Sequence, residues 1–186
     1  MGTFNTLDNV QMRSFSGDAL VTTSYRDDGI TRGFGFVFEK NFSIGIGATL
    51  YVLFDYTTYT PSAGQSGLIY IMPPSFSTTS GLVTVNLYRG TDYAGGTPFI
   101  AYNPNTTATK TQSATTLTSG ATGVTKGTLA LEFIVGGQAQ GNQTAAGTSE
   151  GASFFVRRNN VKSLVEIVNS SGAAITFHYS QVLYEI

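Results

Sequence analysis

The only histidine of the chain, His178, is the residue that a catalytic triad or a histidine-bound metal would have to use. It alternates with Phe177 and Tyr179, so in a strand it faces away from both rings. A serine hydrolase also needs an exposed nucleophile, typically within Gly-x-Ser-x-Gly. The nearest approach, Gly-Ala-Ser153-Phe-Phe, lacks the second glycine. We therefore expect His178 to be structural or outward-facing.

Paired carboxylates are a second possible chemistry, because a glycosidase needs two of them about 5–9.5 Å apart. Four acidic residues fall in strand-like stretches: Glu39, Asp55, Glu132 and Glu166. The chain has no tryptophan, the usual platform of a sugar-cleaving cleft. We predict that the protein is not an enzyme.

Metal and cofactor sites are equally poorly supported. The chain has no cysteine and one histidine, which argues against zinc. Asp27-Asp28-Gly29 is the one dense acidic group, and it fits a turn better than an EF-hand. Gly33-Phe-Gly35 and Gly45-Ile-Gly47 lack the third glycine of a dinucleotide loop. We expect no cofactor and no bound metal.

The composition indicates a neutral, hydroxyl-rich surface. The 186 residues suffice for one domain, and charged residues are 11%, against about 25% in an average globular protein. The net charge is −1 and the basic residues are scattered, which disfavours nucleic-acid binding. No apolar run approaches the roughly 18 residues of a membrane span. The beginning of the chain does not resemble a signal peptide, so we expect no membrane association.

Period-two alternation dominates the chain after its first residues. Phe34, Phe36 and Phe38 share one face of a predicted strand, and 49–56 has apolar residues on both faces. The segments 127–135, 152–158, 161–168 and 173–184 continue the pattern, with 108–117 the best strand in a Thr/Ser-rich tract. Eight to ten strands with regular turn signals, and no helical period, predict a single antiparallel β-sandwich or jelly roll.

Residues 1–18 are polar and lack a strand pattern, so we separate them as an extended N-terminal arm from a sandwich domain of residues 19–186. Phe4, Leu7 and Val10 are spaced about three apart. An extended arm of this kind can insert apolar side chains into a neighbouring molecule, whereas an undocked terminus frays. Both alternatives remain open, and we take these three residues as candidate partner contacts.

The stretch Ser80–Pro98 combines a strand with a loop. Val83, Val85 and Leu87 are predicted to face the core, and Leu129, Leu131, Phe133 and Val135 of a later strand likewise. The loop that follows Arg89 carries Asp92 and Tyr93 and has no nucleophile or phosphate-binding pattern. We predict that Asp92 and Tyr93 contact a partner.

Three stretches give the chain a family resemblance: Val-Thr-Val-Asn-Leu-Tyr-Arg-Gly-Thr-Asp-Tyr-Ala-Gly-Gly-Thr-Pro from Val83, Gly-Thr-Leu-Ala-Leu from Gly127, and Val-Lys-Ser-Leu-Val-Glu-Ile-Val-Asn-Ser-Ser-Gly-Ala-Ala-Ile-Thr-Phe-His-Tyr from Val161. Over roughly residues 30–186 the chain resembles small β-sandwich head decoration or cement proteins of tailed bacteriophages. The resemblance implies a jelly-roll-like fold, no catalysis and a place on the capsid surface. It also implies a trimer or dimer that contacts the major capsid protein or other virion proteins.

A second function stays open beside capsid decoration. The chain could be the receptor- or carbohydrate-binding module of a phage tail fibre or spike, with tyrosines of the polar loops as its contacts. The candidates are Tyr56, Tyr59, Tyr93 and Tyr102.

Overall fold

The computed structural model describes residues 4–6, 11–16, 19–24, 33–61, 63, 67–72, 74–79, 81–137, 155–158 and 160–186. Strands account for most of them, and one turn of 3-10 helix spans Tyr56–Thr58. The strands in chain order are β1 (Phe4–Thr6), β2 (Gln11–Ser16), β3 (Ala19–Ser24), β4 (Gly35–Ile44), β5 (Thr49–Asp55), β6 (Leu68–Ile71), β7 (Ser75–Thr78), β8 (Gly81–Arg89), β9 (Asp92–Ala94), β10 (Thr97–Phe99), β11 (Thr116–Ser119), β12 (Thr122–Thr125), β13 (Thr128–Gly137), β14 (Phe155–Arg158), β15 (Lys162–Asn169) and β16 (Ile175–Glu185).

Two antiparallel sheets form the sandwich. The six-stranded sheet has the order β10-β11-β5-β15-β8-β13. The five-stranded sheet has the order β14-β6-β16-β4, with β7 also paired to β16. Eight strands form the two facing halves of the sandwich: β4, β5, β6, β8, β13, β14, β15 and β16. When these are numbered one to eight in chain order, the six-stranded sheet contains them in the order two, seven, four, five. The five-stranded sheet contains them in the order six, three, eight, one. This is the strand order of a jelly roll, and it confirms the predicted fold class.

Aromatic side chains fill the space between the sheets, as the alternation predicted. Phe36 and Phe38 of β4 are 0% and 3% exposed. The Tyr179 ring of β16 lies 4.9 Å from Phe38 and 5.0 Å from Phe76, between centroids. Val83 is likewise fully buried on β8. Rings in tilted and edge-on contact bury large apolar areas, so this inner layer holds the two sheets together.

One residue of β13 departs from the predicted phase. The register between β13 and β8 shifts between Leu129 and Leu131, which inserts one extra residue. Leu131 therefore lies opposite the inward Leu87, whereas Leu129 lies opposite Tyr88 and is 49% exposed. A bulge reverses the face of every residue on one side of it. The prediction that Leu129 faces the core is wrong for this reason.

A two-stranded ribbon, β9 paired with β12, covers part of the outer face of the six-stranded sheet. Both of its strands continue, after bends at Gly95-Gly96 and Gly120, into the paired strands β10 and β11 at the sheet edge. Beneath the ribbon, Leu53 of β5 and Leu164 of β15 are fully buried. The predicted burial of β5 on both faces is explained by this ribbon.

One other sequence expectation, the strand at 108–117, is wrong in detail. The tract 103–115 contains only an isolated bridge at Gln112, and the strand of that region, β11, starts at Thr116. The short turns after β14 and β15 connect strands of different sheets, because β14 and β16 belong to the five-stranded sheet and β15 to the other. The chain crosses between the sheets at each turn, which is how a jelly roll is wound.

The first three strands form an antiparallel sheet in the order β1-β2-β3. β2 and β3 pair from Gln11–Ser24 to Ser16–Ala19, across the predicted boundary at residue 18. The division into an arm and a sandwich domain stays a prediction. No helix within the described ranges is long and apolar enough to cross a membrane.

Candidate functional site: the clamped ribbon

The predicted contact residues fall into three groups. Phe4 lies on β1, where only the backbone is described, and Leu7 and Val10 lie outside the described residues. Asp92 and Tyr93 begin β9, at the start of the ribbon. The remaining candidates are the tyrosines of the loops. For Phe4, Leu7 and Val10 the contact role stays a prediction.

Tyr56 and Tyr59 are not surface residues, so their prediction as partner contacts is wrong. Each is 1% exposed. The Asp55 carboxylate accepts a hydrogen bond of 3.0 Å from the Thr57 N–H and caps the 3-10 helix. This turn directs the Tyr56 ring onto Phe54, with 6.1 Å between centroids. Burial raises the pKa of Tyr59 to about 12, and the nearby Glu185 carboxylate adds to the rise.

Tyr102 keeps an exposed side chain, 57% accessible, while its backbone is fixed. Its N–H and C=O pair with Val37 at 2.9 and 2.8 Å, so the residue extends the edge beside β4. Tyr102 and the ribbon pair Asp92 and Tyr93 thus remain available to a partner.

The entry of the ribbon is tied to β15 by Lys162. The Lys162 ammonium lies 3.1 Å from Asp92 Oδ1 and 4.0 Å from Asp55 Oδ2. It also lies 5.2 Å from the centre of the Tyr93 ring. The hydrogen bond from Lys162 lowers the pKa of Asp92, and the same bond raises the pKa of Lys162. Since the Asp92 side chain is 77% exposed, this pair orients the loop more than it stabilises the fold.

The exit of the ribbon is tied to the same strand by a second ion pair of reversed polarity. Lys126, one residue after β12, lies 2.5 Å from Glu166 Oε1 of β15. Asn86 and Tyr88 of β8 donate to Glu166 Oε2 at 3.2 and 3.1 Å. The Lys126 ammonium lies 5.6 Å from the centre of the Tyr88 ring.

Glu166 is buried but stays ionised. Burial raises its pKa, yet the hydrogen bonds from Lys126, Asn86 and Tyr88 outweigh burial, so the pKa is lowered. The hydrogen bond to Glu166 is also the main cause of the raised pKa of Lys126. A fixed carboxylate with three donors holds its neighbours in place, which is an organising role.

We call the unit of Asp92, Tyr93, Lys126, Lys162 and Glu166 the clamped ribbon. Asp92 and Tyr93 were predicted from the sequence, and the other three were not singled out as contacts. The available signal was Glu166 itself, a carboxylate in the otherwise apolar run Leu164 to Val168. A carboxylate on a covered strand needs a cation or hydrogen-bond donors beside it.

Two of the strand carboxylates lie near each other on the outer face of the six-stranded sheet. Glu132 and Glu166 both lie opposite Asn86, so they share one row of the outer face. A glycosidase pairs a protonated carboxyl group with an ionised one, and Glu166, whose pKa is shifted downward, could fill only the ionised role. Glu39, the third strand glutamate, lies on β4 of the other sheet.

His178 of β16 contacts two residues of β4. The ring nitrogens of His178 face Asn41 Oδ1 at 2.8 Å and Glu39 Oε1 at 3.3 Å. No serine hydroxyl takes part in either contact. The described residues contain no group of three or more histidine, aspartate and glutamate side chains placed to hold a metal ion.

No family model matches the chain, and no curated protein matches it significantly. Fold and side-chain geometry are therefore the basis for a proposed function.

Proposed function

We propose that the protein is a non-enzymatic structural protein of a virion, which decorates or cements a bacteriophage capsid by protein–protein contacts. The observation that carries the proposal is the jelly-roll strand order, an architecture that viral capsid proteins use repeatedly. Since one fold serves many functions, the contact surface has to be argued separately.

The clamped ribbon has the properties of a preorganised contact surface. It is held to β15 at both ends, so little conformational entropy is lost when a partner orders it further. Tyr93 offers a partly exposed aromatic ring, and tyrosine is among the residues enriched at interface hot spots. The partner in this proposal is the major capsid protein or another virion protein, and the site of action is the capsid surface.

The surface chemistry supports repeated packing against neighbours. Few charges have to be desolvated when 11% of residues are charged. A trimer or dimer belongs to the proposal, because closed symmetric assemblies are the common form of such proteins. Phe4, Leu7 and Val10 remain the candidates for a second, N-terminal anchor.

The alternative, a receptor- or carbohydrate-binding module of a tail fibre or spike, loses half of its proposed tyrosine platform. Tyr56 and Tyr59 are core residues, and Tyr93 and Tyr102 lie on separate elements. We retain it as the outcome that the following experiment would reveal.

Two measurements test the proposal. Quantitative mass spectrometry of purified particles of the encoding virus should find copies in the number of capsid subunits, whereas a few copies per particle would favour the tail. Recombinant protein should also cosediment with capsids that lack it. The double variant Asp92→Ala, Tyr93→Ala should lose binding, with Ser43→Ala on the opposite sheet as the matched control. Equal binding by both variants would contradict a contact role of the ribbon.

The N-terminal anchor needs its own deletion. Because β2 pairs with β3, removal of residues 1–24 takes away a whole sheet rather than half of one. The expected result is a folded sandwich, by circular dichroism, with much weaker capsid binding. Unchanged binding by the folded deletion would show that Phe4, Leu7 and Val10 are not contacts.

A further inference from the structure

The outer face of the five-stranded sheet differs in chemistry from every other surface described so far. Three neighbouring strands, β4, β16 and β7, present only polar side chains there over three rows. They comprise a carboxylate, an amide, an imidazole and six hydroxyl groups: Glu39, Asn41, Ser43, Ser75, Ser77, Thr79, Thr176, His178 and Ser180. Solubility alone would be met by charged residues, which a sheet face of this kind usually carries.

Part of this face is concave. A groove of about 360 Å³ is lined by Asn41, Ser77, Thr78, Thr79, Thr176 and His178. Its volume lies at the lower end of the range of small-molecule sites. All six residues belong to paired strands or to the residue directly after one, so the groove has a rigid wall.

His178 is fixed at one side of the groove. Its Nδ1 lies 2.8 Å from Asn41 Oδ1, and its Nε2 lies 3.3 Å from Glu39 Oε1. The contacts of its two ring nitrogens orient the imidazole along β4. The Asn41 amide is oriented by the same contact, and its nitrogen has no partner within the described part of the chain.

Hydrogen-bonding capacity remains on the groove wall. The hydroxyls of Ser77 and Thr176 form no hydrogen bond with another described residue. Thr79 Oγ1 accepts from the Thr176 N–H at 3.0 Å and can still donate its own proton. Hydroxyl groups both donate and accept, so these side chains match a ligand that does the same.

The groove lacks an unpaired positive charge, which argues against an anionic ligand. None of the six lining residues is lysine or arginine, and the one imidazole already faces a carboxylate. A phosphate or sulfate would find no unpaired cation here. A metal ion would find fewer than three suitable ligands among the described residues.

We propose that this groove binds a neutral polyhydroxyl ligand, namely a sugar residue of a glycan. Asn41, Ser77, Thr176 and Thr79 supply the hydrogen bonds, and His178 with Glu39 keeps Asn41 in its orientation. No aromatic ring lines the groove, so a single sugar binds weakly, and many copies on one particle would be needed for tight attachment. The inference does not rest on capsid binding and uses the sheet opposite the clamped ribbon.

The test is a nuclear magnetic resonance titration of the full chain. N-acetylglucosamine, galactose and glucose are added separately to the ¹⁵N-labelled protein, with glycerol as a hydroxyl-rich control. The expected result is saturable shifts of the backbone amides of Asn41, Ser77, Thr176 and His178 with at least one sugar and none with glycerol.

Two variants make the result specific. Thr176→Val keeps the shape of the side chain and removes one hydroxyl, so the affinity should fall about tenfold. Ser180→Ala, on the same face and outside the groove, should bind as the unmodified protein does. No saturable shift with any sugar, equal shifts with glycerol, or unchanged affinity of a folded Thr176→Val protein would each overturn the proposal.

Discussion

Glu185 and Glu166 are the two buried glutamates of the described chain, one inside the sandwich and one on its outer face. Both are ion-paired with a lysine that lies beside aromatic rings. Glu185 also accepts from the backbone N–H groups of Ala114 and Thr115, at 3.2 and 2.8 Å, and from the Ser113 hydroxyl at 2.6 Å. Glu166 accepts from side chains alone.

This difference separates a structural carboxylate from an organising one. Glu185 of β16 provides the acceptors for a loop without regular strand pairing, so the fold of that loop depends on it. Glu166 joins the ribbon to β8 and β15. The two ribbon strands already pair with each other, and β15 already pairs with β8. Loss of the first should affect the whole sandwich, and loss of the second should affect mainly the clamped ribbon.

The largest effect is expected for Glu185→Gln. The substitution keeps the shape but removes the charge that Lys110 and the loop donors share, and a broken buried ion pair destabilises by about 3 kcal/mol. Urea unfolding followed by tyrosine fluorescence measures the free energy of unfolding. Lys110→Met should destabilise less, because Glu185 then still accepts hydrogen bonds from Ser113, Ala114 and Thr115. A near-zero change for Glu185→Gln would remove the distinction between the two glutamates.

Acid should weaken the contribution of both carboxylates. Burial raises the pKa of Glu185, but the hydrogen bonds from Lys110, Ser113 and Thr115 outweigh burial and lower it, as for Glu166. Both carboxylates therefore contribute stability that is full above their unfolded pKa of about 4.3 and is lost as the pH falls through the lowered folded value. The melting temperature should decline below that pH, and less steeply in Glu185→Gln and in Glu166→Gln than in the unmodified protein. A variant whose melting temperature declines as steeply as that of the unmodified protein would show that its carboxylate does not contribute to the acid sensitivity.

Glu166→Gln should cost about 1–2 kcal/mol, since the charge that accepts from Lys126, Asn86 and Tyr88 is lost while the strands stay paired. Hydrogen exchange should accelerate in β9 and β12 and remain slow in β8 and β15. Uniform acceleration over the sheet would mean that Glu166, like Glu185, supports the entire fold.

The smallest effect on the free energy of unfolding is expected for Lys162→Met. Its main partner Asp92 is exposed, so we expect no measurable change in the free energy of unfolding. The change should instead appear in the mobility of the loop around Tyr93, seen as narrower amide resonances. A clear loss of stability would place the ribbon entry among the structural contacts.

Local patterns in the sequence predicted much of the sandwich. The two-residue spacing of Phe36 and Phe38, and of Val83 and Val85, located the inner faces of β4 and β8 correctly. The same rule failed at Leu129, since a bulge depends on the partner strand and leaves no period of its own. The crossing from β14 to β15 is not marked in the sequence, because a short turn can serve a hairpin or a change of sheet.

The candidate site was only partly predictable. The loop of Asp92 and Tyr93 could be located by its position after a strand, but its clamps join residues distant in sequence. Lys126 follows a Thr/Gly-rich stretch with no pattern, and nothing in it indicates Glu166 as its partner. Tyr56 and Tyr59 were misjudged because their polar neighbours suggested a surface loop, whereas the 3-10 turn directs both rings inward.

The strand order also has a consequence for synthesis of the protein. β15 lies between β5 and β8, and β16 lies between β4 and β6, so each sheet has one of the last two strands in its interior. His178 pairs with Asn41, 137 residues earlier in the chain. While ribosomes are still producing the first 160 residues, neither sheet can close, and unpaired edges of β4, β5 and β8 stay open to other chains. Productive folding therefore has to wait until β15 and β16 have been made, with aggregation as its competitor.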